Sequence, residues 1–401
     1  MSATNVVNEV ARIDRDAFWP PADEVLEAAD GIRASLGRAW PQPARSWRFC
    51  LSTPSTIGRN DVRVLIDAQS HPEERRAWLA AGAAIIEAAP ERVELRIGEA
   101  VYAWSGTRSD DWLAALAAFA ACDFDLHDAL TLALAWRGDT GVAGESAASP
   151  SSWGSPGGGA RAEGLAVSGC AVSPAWPTDL ATYPRIEGLR GFPHAFAACP
   201  DALGLYPVVP SAEWIERLLD LGVRTLQLRT KSNDPHVLDT EIARAVRAAR
   251  ACDARLFIND HWQRAIDAGA YGVHLGQEDV QTADLEAIAS AGLRLGLSTH
   301  GFYEMLVAKH FNPSYIAMGA VFPTTTKQMP TAPQGLVRLA HYVALLNGHV
   351  PLVAIGGIDQ SVIGPVLATG VGSAAVVRAV TEAADVAAAV RSLEASFTPR
   401  G

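Results

Sequence analysis

From residue 203 onward the chain alternates between short apolar runs and amphipathic stretches. The apolar runs fall at 205–209, 225–228, 255–258, 272–275, 294–297, 315–318, 352–355 and 374–377. Between them the 3.6-residue spacing predicts helices, among them 211–221, 235–251, 282–291 and 359–368. Eight such strand–helix units in about 195 residues predict a compact (β/α)₈ barrel over 203–397. A doubly wound open sheet is the alternative; the count of units and the polar residues at successive strand ends favour the barrel.

The first third reads differently. Helical spacing over 23–36, an apolar run at 62–66, an alanine-rich helical stretch at 73–89 and alternation at 93–97 with a partner at 100–104 predict mixed structure. Helices are expected at 110–121 and 126–136, with Asp125 placed to cap the second. Residues 1–137 therefore read as a small α+β domain. Residues 138–202 change character: 149–159 is rich in Ser, Pro and Gly and reads as a flexible linker, and 171–200 as an irregular extension packed on the barrel.

Composition narrows the function. A net charge of -11 argues against nucleic acid as the main partner. The cysteines Cys50, Cys122, Cys170, Cys199 and Cys252 are scattered and show no CxxC pair, so reduced thiols and no zinc site are expected. Residues 1–20 lack an apolar signal core and no apolar run is long enough for a bilayer; a soluble, cytoplasmic protein without a membrane partner is expected. Nine of the 11 tryptophans precede residue 200, which reads as bulky core filling in the first domain.

Chemistry in a barrel gathers at the C-terminal strand ends. Gln227, Arg229 and Lys231 share one face of an extended segment and make a strong anion site, most plausibly for a pyrophosphate, although an alternating exposed strand gives the same pattern. Asn259-Asp260 and Asp279 end the next two strands. Two carboxylates there suit a Mg²⁺ that also binds phosphate oxygens, or else cap the following helices. Ser298 can donate to phosphate; His300 reads as a helix-start histidine and His274 as a packed core histidine. The loop Pro323-Thr324-Thr325-Thr326-Lys327 offers hydroxyls and an ammonium to a second phosphate, and Gly356-Gly357 offers backbone N–H groups. Two anion sites, one with a metal, imply one diphosphate and one monophosphate substrate joined between them.

The segments QLRTK, FIND, GVHLGQED, GLSTH, GAVFPTTTK, APQG and VAIGGI closely resemble the thiamine-phosphate synthase family, over about residues 203–397. The family joins 4-amino-2-methyl-5-(diphosphooxymethyl)pyrimidine to 4-methyl-5-(2-phosphooxyethyl)thiazole, giving thiamine phosphate and diphosphate. The resemblance implies that Gln227, Arg229, Lys231 and Asn259 hold the pyrimidine diphosphate and that Asp260 and Asp279 bind Mg²⁺. It also implies that Ser298 contacts the pyrimidine, and that Thr324, Thr326 and the Gly357 backbone hold the thiazole phosphate. Lys327 would face the diphosphate, so that Arg229, Lys231, Ser298 and Lys327 carry the catalysis. Where the family places a serine after Val377, at a position used for the thiazole phosphate, this chain has Arg378.

Residues 1–202 fall outside that family's core. Fusions to a hydroxymethylpyrimidine-phosphate kinase form a class, and residues 123–135 are similar to a helix of such kinases. No Gly-rich anion-hole signature with a catalytic aspartate accompanies them, so no kinase activity is expected, and the segment reads as a degenerate remnant or an accessory module. Two rival readings of the barrel are a thiazole tautomerase, which is expected to lack the diphosphate set present here, and a non-catalytic sensor of thiamine precursors. Homo-oligomerisation is left open.

Overall fold

The computed structural model describes residues 12–138, 172–325 and 331–397. They form two compact units, one of 12–138 with 172–188 and one of 189–325 with 331–397. The predicted linker at 149–159, Cys170, Thr326 and Lys327 lie outside the described residues.

The first unit is built on a seven-stranded sheet in sequence order: β1 (Phe18–Trp19), β2 (Arg48–Cys50), β3 (Asp61–Ile66), β4 (Ala84–Ala88), β5 (Arg92–Ile97), β6 (Ala100–Ser105) and β7 (Arg185–Ile186). β1 to β4 run parallel; β4 to β7 are antiparallel. The expected helix over 73–89 is two elements. Helix Pro72–Ala80 stops at Gly82, whose φ is +75°, and the buried run that follows becomes β4. Alanine density suggested a continuing helix; a left-handed glycine and full burial on both faces select the strand.

Helix Trp112–Ala120 is buried on every side and packs against helices Asp23–Ser35 and Leu126–Ala135. Asp125 stands at the N-cap of the last, but its side chain makes no capping hydrogen bond. Trp40, Trp78, Trp104, Trp112, Trp136 and Trp176 are core filling, whereas Trp19 is exposed: Trp40 stacks on Trp176 at 4.9 Å, with Phe119 edge-on to Trp176 at 5.2 Å. Trp176 and β7 tie residues 172–188 into this unit, correcting the expectation that all of 171–200 packs on the barrel. A buried tryptophan and a two-residue strand, of which only Ile186 is apolar, were hidden there among prolines.

The second unit is a closed, all-parallel barrel of β8 (Gly204–Val209), β9 (Thr225–Leu228), β10 (Arg255–Asn259), β11 (Gly272–Leu275), β12 (Arg294–Thr299), β13 (Tyr315–Met318), β14 (Leu352–Ile355) and β15 (Ser373–Val376). The β15–β8 pairing closes it. Every predicted strand is present within two residues of its predicted ends. Caps set the helix starts, as where Ser211 accepts from Trp214 N–H and Asp234 from His236 N–H with Pro235 at the first turn.

Residues 189–203 cross the N-terminal mouth of the barrel. Phe192 N–H donates to His310 O (3.0 Å), Asn312 Nδ2 donates to Phe192 O (2.8 Å), and Ser314 Oγ donates to Ala197 O (2.7 Å). Cys199 joins Tyr206, Phe257, Tyr315 and Val353 in the barrel core. Burial pushes its thiol up to about 11, as it does that of Cys50. The base is thereby plugged, and the opposite end stays open. No helix among the described residues is long and apolar enough to cross a membrane.

Candidate active site

All eight strands send residues into one cavity of about 770 Å³ at their C-terminal ends. Gln227, Arg229, Lys231, Asn259, Asp260, Asp279, Ser298, Thr324, Gly357, Val377 and Arg378, all singled out from the sequence, line it together.

On the β9 side, alternation aims Gln227, Arg229 and Lys231 inward at three depths: Gln227 buried, Arg229 half-buried, Lys231 exposed. Gln227 thus stands below the two cations rather than level with them. Arg229 N–H donates to Val209 O at 2.8 Å, which holds the strand end in register.

Asp260 follows β10 with φ at +64°, a conformation that aspartate tolerates better than most residues. Its N–H donates to His274 O (3.0 Å), and its Oδ2 accepts from Asn259 Nδ2 (2.5 Å). Burial first, then the charge of Asp279, push the Asp260 carboxyl up; Arg229, His261 and Asn259 pull it back. Asp279 begins helix Asp279–Thr282 and accepts from Gly276 N–H at 3.3 Å. Two carboxylates on neighbouring strand ends fit a divalent cation, and without one they would repel an anionic substrate. Among the described residues no third His, Cys, Asp or Glu converges on them, so further oxygen ligands would come from substrate phosphate and water.

On the opposite side, Gly356 (φ +102°) and Gly357 (φ +66°) bring backbone against the loop after β13. A Cβ at 356 would lie 2.5 Å from Ala320 Cα, and one at 357 would lie 2.7 Å from both Phe322 Cβ and Pro323 O. Glycine is required twice over, by conformation and by space. Arg378 is exposed at the rim. The Ser361 hydroxyl, 2.6 Å away, leads in holding the Asp359 carboxyl below its usual range, and the Arg378 charge adds to this.

Between the two sides runs a buried chain of hydrogen bonds. Gln227 Nε2 donates to Tyr206 Oη (3.2 Å); the Tyr206 and Tyr315 hydroxyls meet at 2.8 Å. Tyr315 Oη meets His274 Nδ1 at 2.8 Å, and His274 Nε2 meets Ser298 Oγ at 2.8 Å. Burial raises both phenols well above their ordinary range, so each keeps its O–H. Gln277 Nε2 fixes the Ser298 carbonyl at 2.6 Å.

His274 is therefore more than core packing, since it orients a cavity residue. The sequence reading missed it, with Tyr206 and Tyr315. The available signal was strand alternation: Tyr206, Gln227, His274, Ser298 and Tyr315 each occupy an inward position, and polar groups stacked inside a small barrel must satisfy one another. His300, by contrast, is held at a helix start, with its N–H and Nδ1 both on Glu304 Oε2 (2.8 and 2.7 Å).

The profile of a family described as Thiamine monophosphate synthase matches residues 205–380. The thiamine-phosphate synthase of Neisseria meningitidis serogroup A is 58% identical over 200 residues, covering 50% of this chain and 97% of that protein. The thiamine-phosphate synthase of Salmonella schwarzengrund is 58% identical over 198 residues, covering 49% of this chain and 93% of that protein. A solved thiamine phosphate pyrophosphorylase from Pyrococcus furiosus is 30% identical, covers 49% of this chain and 95% of its own, and has a TM-score of 0.43. Through its C-terminal half, the chain belongs to the thiamine-phosphate synthase family of transferases.

Proposed function

We propose that the barrel joins 4-amino-2-methyl-5-(diphosphooxymethyl)pyrimidine to 4-methyl-5-(2-phosphooxyethyl)thiazole with Mg²⁺, releasing diphosphate and forming thiamine phosphate. The observation that carries this reading is the two-sided cavity. Arg229, Lys231 and the Asp260–Asp279 pair stand on one side, Thr324, Gly356, Gly357 and Arg378 on the other, and Ser298 between them.

The bond that breaks is the methylene carbon to diphosphate oxygen bond, and its electron pair leaves with the diphosphate. Arg229 and Lys231 neutralise charge on that group as it grows. Asp260 and Asp279 would hold a Mg²⁺, which would supply further charge neutralisation to the departing diphosphate. The electron-rich aminopyrimidine carries the cation left on the methylene. Ser298 and Gln227 hold the ring, and the glycine turn with Thr324 holds the thiazole phosphate. The thiazole nitrogen is then aimed at the methylene carbon and forms the new C–N bond. No protein nucleophile takes part. Lys327, outside the described residues, is assigned to the diphosphate on the family resemblance.

The test is diphosphate release by the full-length protein with both substrates and Mg²⁺, omitting each in turn. Release that requires all three supports the reading. Tight binding of both substrates without release would mean a sensor instead.

A further inference from the structure

We propose that the buried chain from Gln227 through Tyr206, Tyr315 and His274 to Ser298 couples the two ends, fixing Gln227 as acceptor and Ser298 as donor toward the pyrimidine edge. The inference rests on the reading of this cavity as a pyrimidine diphosphate site. It adds what that reading lacks, a physical basis for choosing an amino-substituted ring over an oxo-substituted one.

Each phenol has one O–H to give, and a neutral imidazole has one N–H and one lone pair. A chain of such groups has a direction. Gln227 gives an N–H to Tyr206. Tyr206 then gives its hydrogen to Tyr315, and Tyr315 gives its own to His274 Nδ1. That places the imidazole proton on Nε2, where it is donated to Ser298 Oγ. Two consequences face the cavity. With its N–H given to Tyr206, Gln227 offers Oε1 to the cavity as an acceptor, and the Ser298 hydroxyl hydrogen is left to give.

An acceptor and a donor that face one cavity match a ring that offers an amino group and an unprotonated ring nitrogen. The 4-oxo ring presents the opposite edge, a carbonyl beside an N–H. To receive it, the Gln227 amide must turn over and all four bonds must reverse together. Neither end can adapt alone, because Tyr206 (1% exposed), Tyr315 (0%) and His274 (6%) have no solvent to absorb a mismatch. Tyr206, Tyr315 and His274 are thus positioning residues, acting through Gln227 and Ser298.

The experiment measures the affinity of full-length protein, with Mg²⁺, for the 4-amino pyrimidine diphosphate and for its 4-oxo counterpart by calorimetry. The parent should bind the amino form about 10²-fold more tightly, since an edge built to hydrogen-bond one partner leaves groups unpaired against the other. Tyr315→Phe keeps the ring and removes the link; the ratio should fall about 10-fold, the size of one net hydrogen bond. Tyr206→Phe frees the Gln227 amide and should lower the ratio similarly, which covers the case of a misfolded Tyr315→Phe. A purely structural role would weaken both ligands in proportion and leave the ratio standing. An unchanged ratio in both folded variants, or no preference in the parent, overturns the coupling. Binding of neither ligand by the parent overturns the pocket reading along with it. Selective binding of the amino form without diphosphate release on adding thiazole phosphate defeats the synthase reading alone.

Discussion

Gly296 and Tyr315 are cross-strand partners on β12 and β13, and the Tyr315 ring occupies the space where a side chain at 296 would begin. A Cβ on residue 296 would overlap ring carbons and the hydroxyl oxygen together, so the ring can only move away. That hydroxyl is the middle of the chain reaching Ser298. Gly296→Ala should therefore cost about 1–3 kcal/mol by overpacking, and should lower turnover beyond what the lost stability explains. Denaturant unfolding and diphosphate release on the same samples check this. Unimpaired release from the variant would show that the ring's position does not matter to the site.

The plug at the barrel base makes a prediction about where the enzyme can be cut. A fragment starting at residue 189 keeps Phe192, Phe196 and Cys199 with their partners, whereas one starting at residue 200 loses all three. Stripping two buried aromatic rings from a core costs on the order of several kcal/mol, a large part of a domain's stability. The longer fragment should fold and release diphosphate like the full chain, and the shorter should be insoluble or melt far lower. Equal melting of the two would show that the plug contributes nothing to the barrel.

Much of the barrel was legible because its signals are local. Each strand is a short, largely apolar run, several helices begin at a capping residue such as Ser211, Asp234, Asp284 or Asp385, and the polar residues cluster where the strands end. The shared lining of the cavity was legible for the same reason: that Gln227, Arg229 and Lys231 face it together follows from a period of two along one segment. What stayed hidden depends on partners far away in sequence. His274 reads as a core histidine until Tyr315, 41 residues later, and Ser298 are placed against its two nitrogens. The split at Gly82 was missed because alanine favours helix in isolation, and only burial between β3 and β5 makes 84–88 a strand. Residues 189–203 have no periodicity, because a plug is shaped by the opening it fills.

The acidic pair gives a third expectation. Burial first, and then the charge of Asp279, raise the proton affinity of Asp260, and a bound cation would relieve that cost. Asp260→Asn should leave the fold intact, reduce diphosphate release about 10²-fold and raise the Mg²⁺ concentration needed for half-maximal rate. Chelating divalent ions should stop release by the parent. Full activity in excess chelator would remove the metal from the proposed mechanism.

His341, in helix Gly335–Leu346, is 2% exposed, and its Nδ1 donates to Val337 O at 2.7 Å. Burial drives its pKa down to about 4. The folded form is thus neutral where the unfolded chain, titrating at about 6.5, takes up a proton. Stability from this group is full above the unfolded value and declines as pH falls from there toward 4. Between pH 7 and 5 the loss comes to about 2 kcal/mol. Denaturant unfolding at the two values should show it, and His341→Leu should flatten the difference. A variant as pH-sensitive as the parent would place the acid lability elsewhere.

Arg378 decides how the second phosphate is held. The family resemblance leads one to expect a serine there, and the arginine found lies exposed on the cavity rim, close enough to Asp359 for its charge to be felt. Two roles compete for one guanidinium. Directed at the cavity, it gives the thiazole phosphate a bidentate contact that serine cannot make; directed at Asp359, it merely balances a carboxylate. The first role predicts that Arg378→Ser raises KM for the thiazole phosphate about 10-fold or more, the worth of a charge-assisted hydrogen bond, with kcat nearly unchanged. Under the second role both constants stay put, and the variant loses only a little stability, since exposed ion pairs contribute little. Steady-state kinetics with the pyrimidine diphosphate saturating separates the two. A rise in KM for the pyrimidine substrate instead would contradict both, and would move Arg378 to the diphosphate side of the cavity.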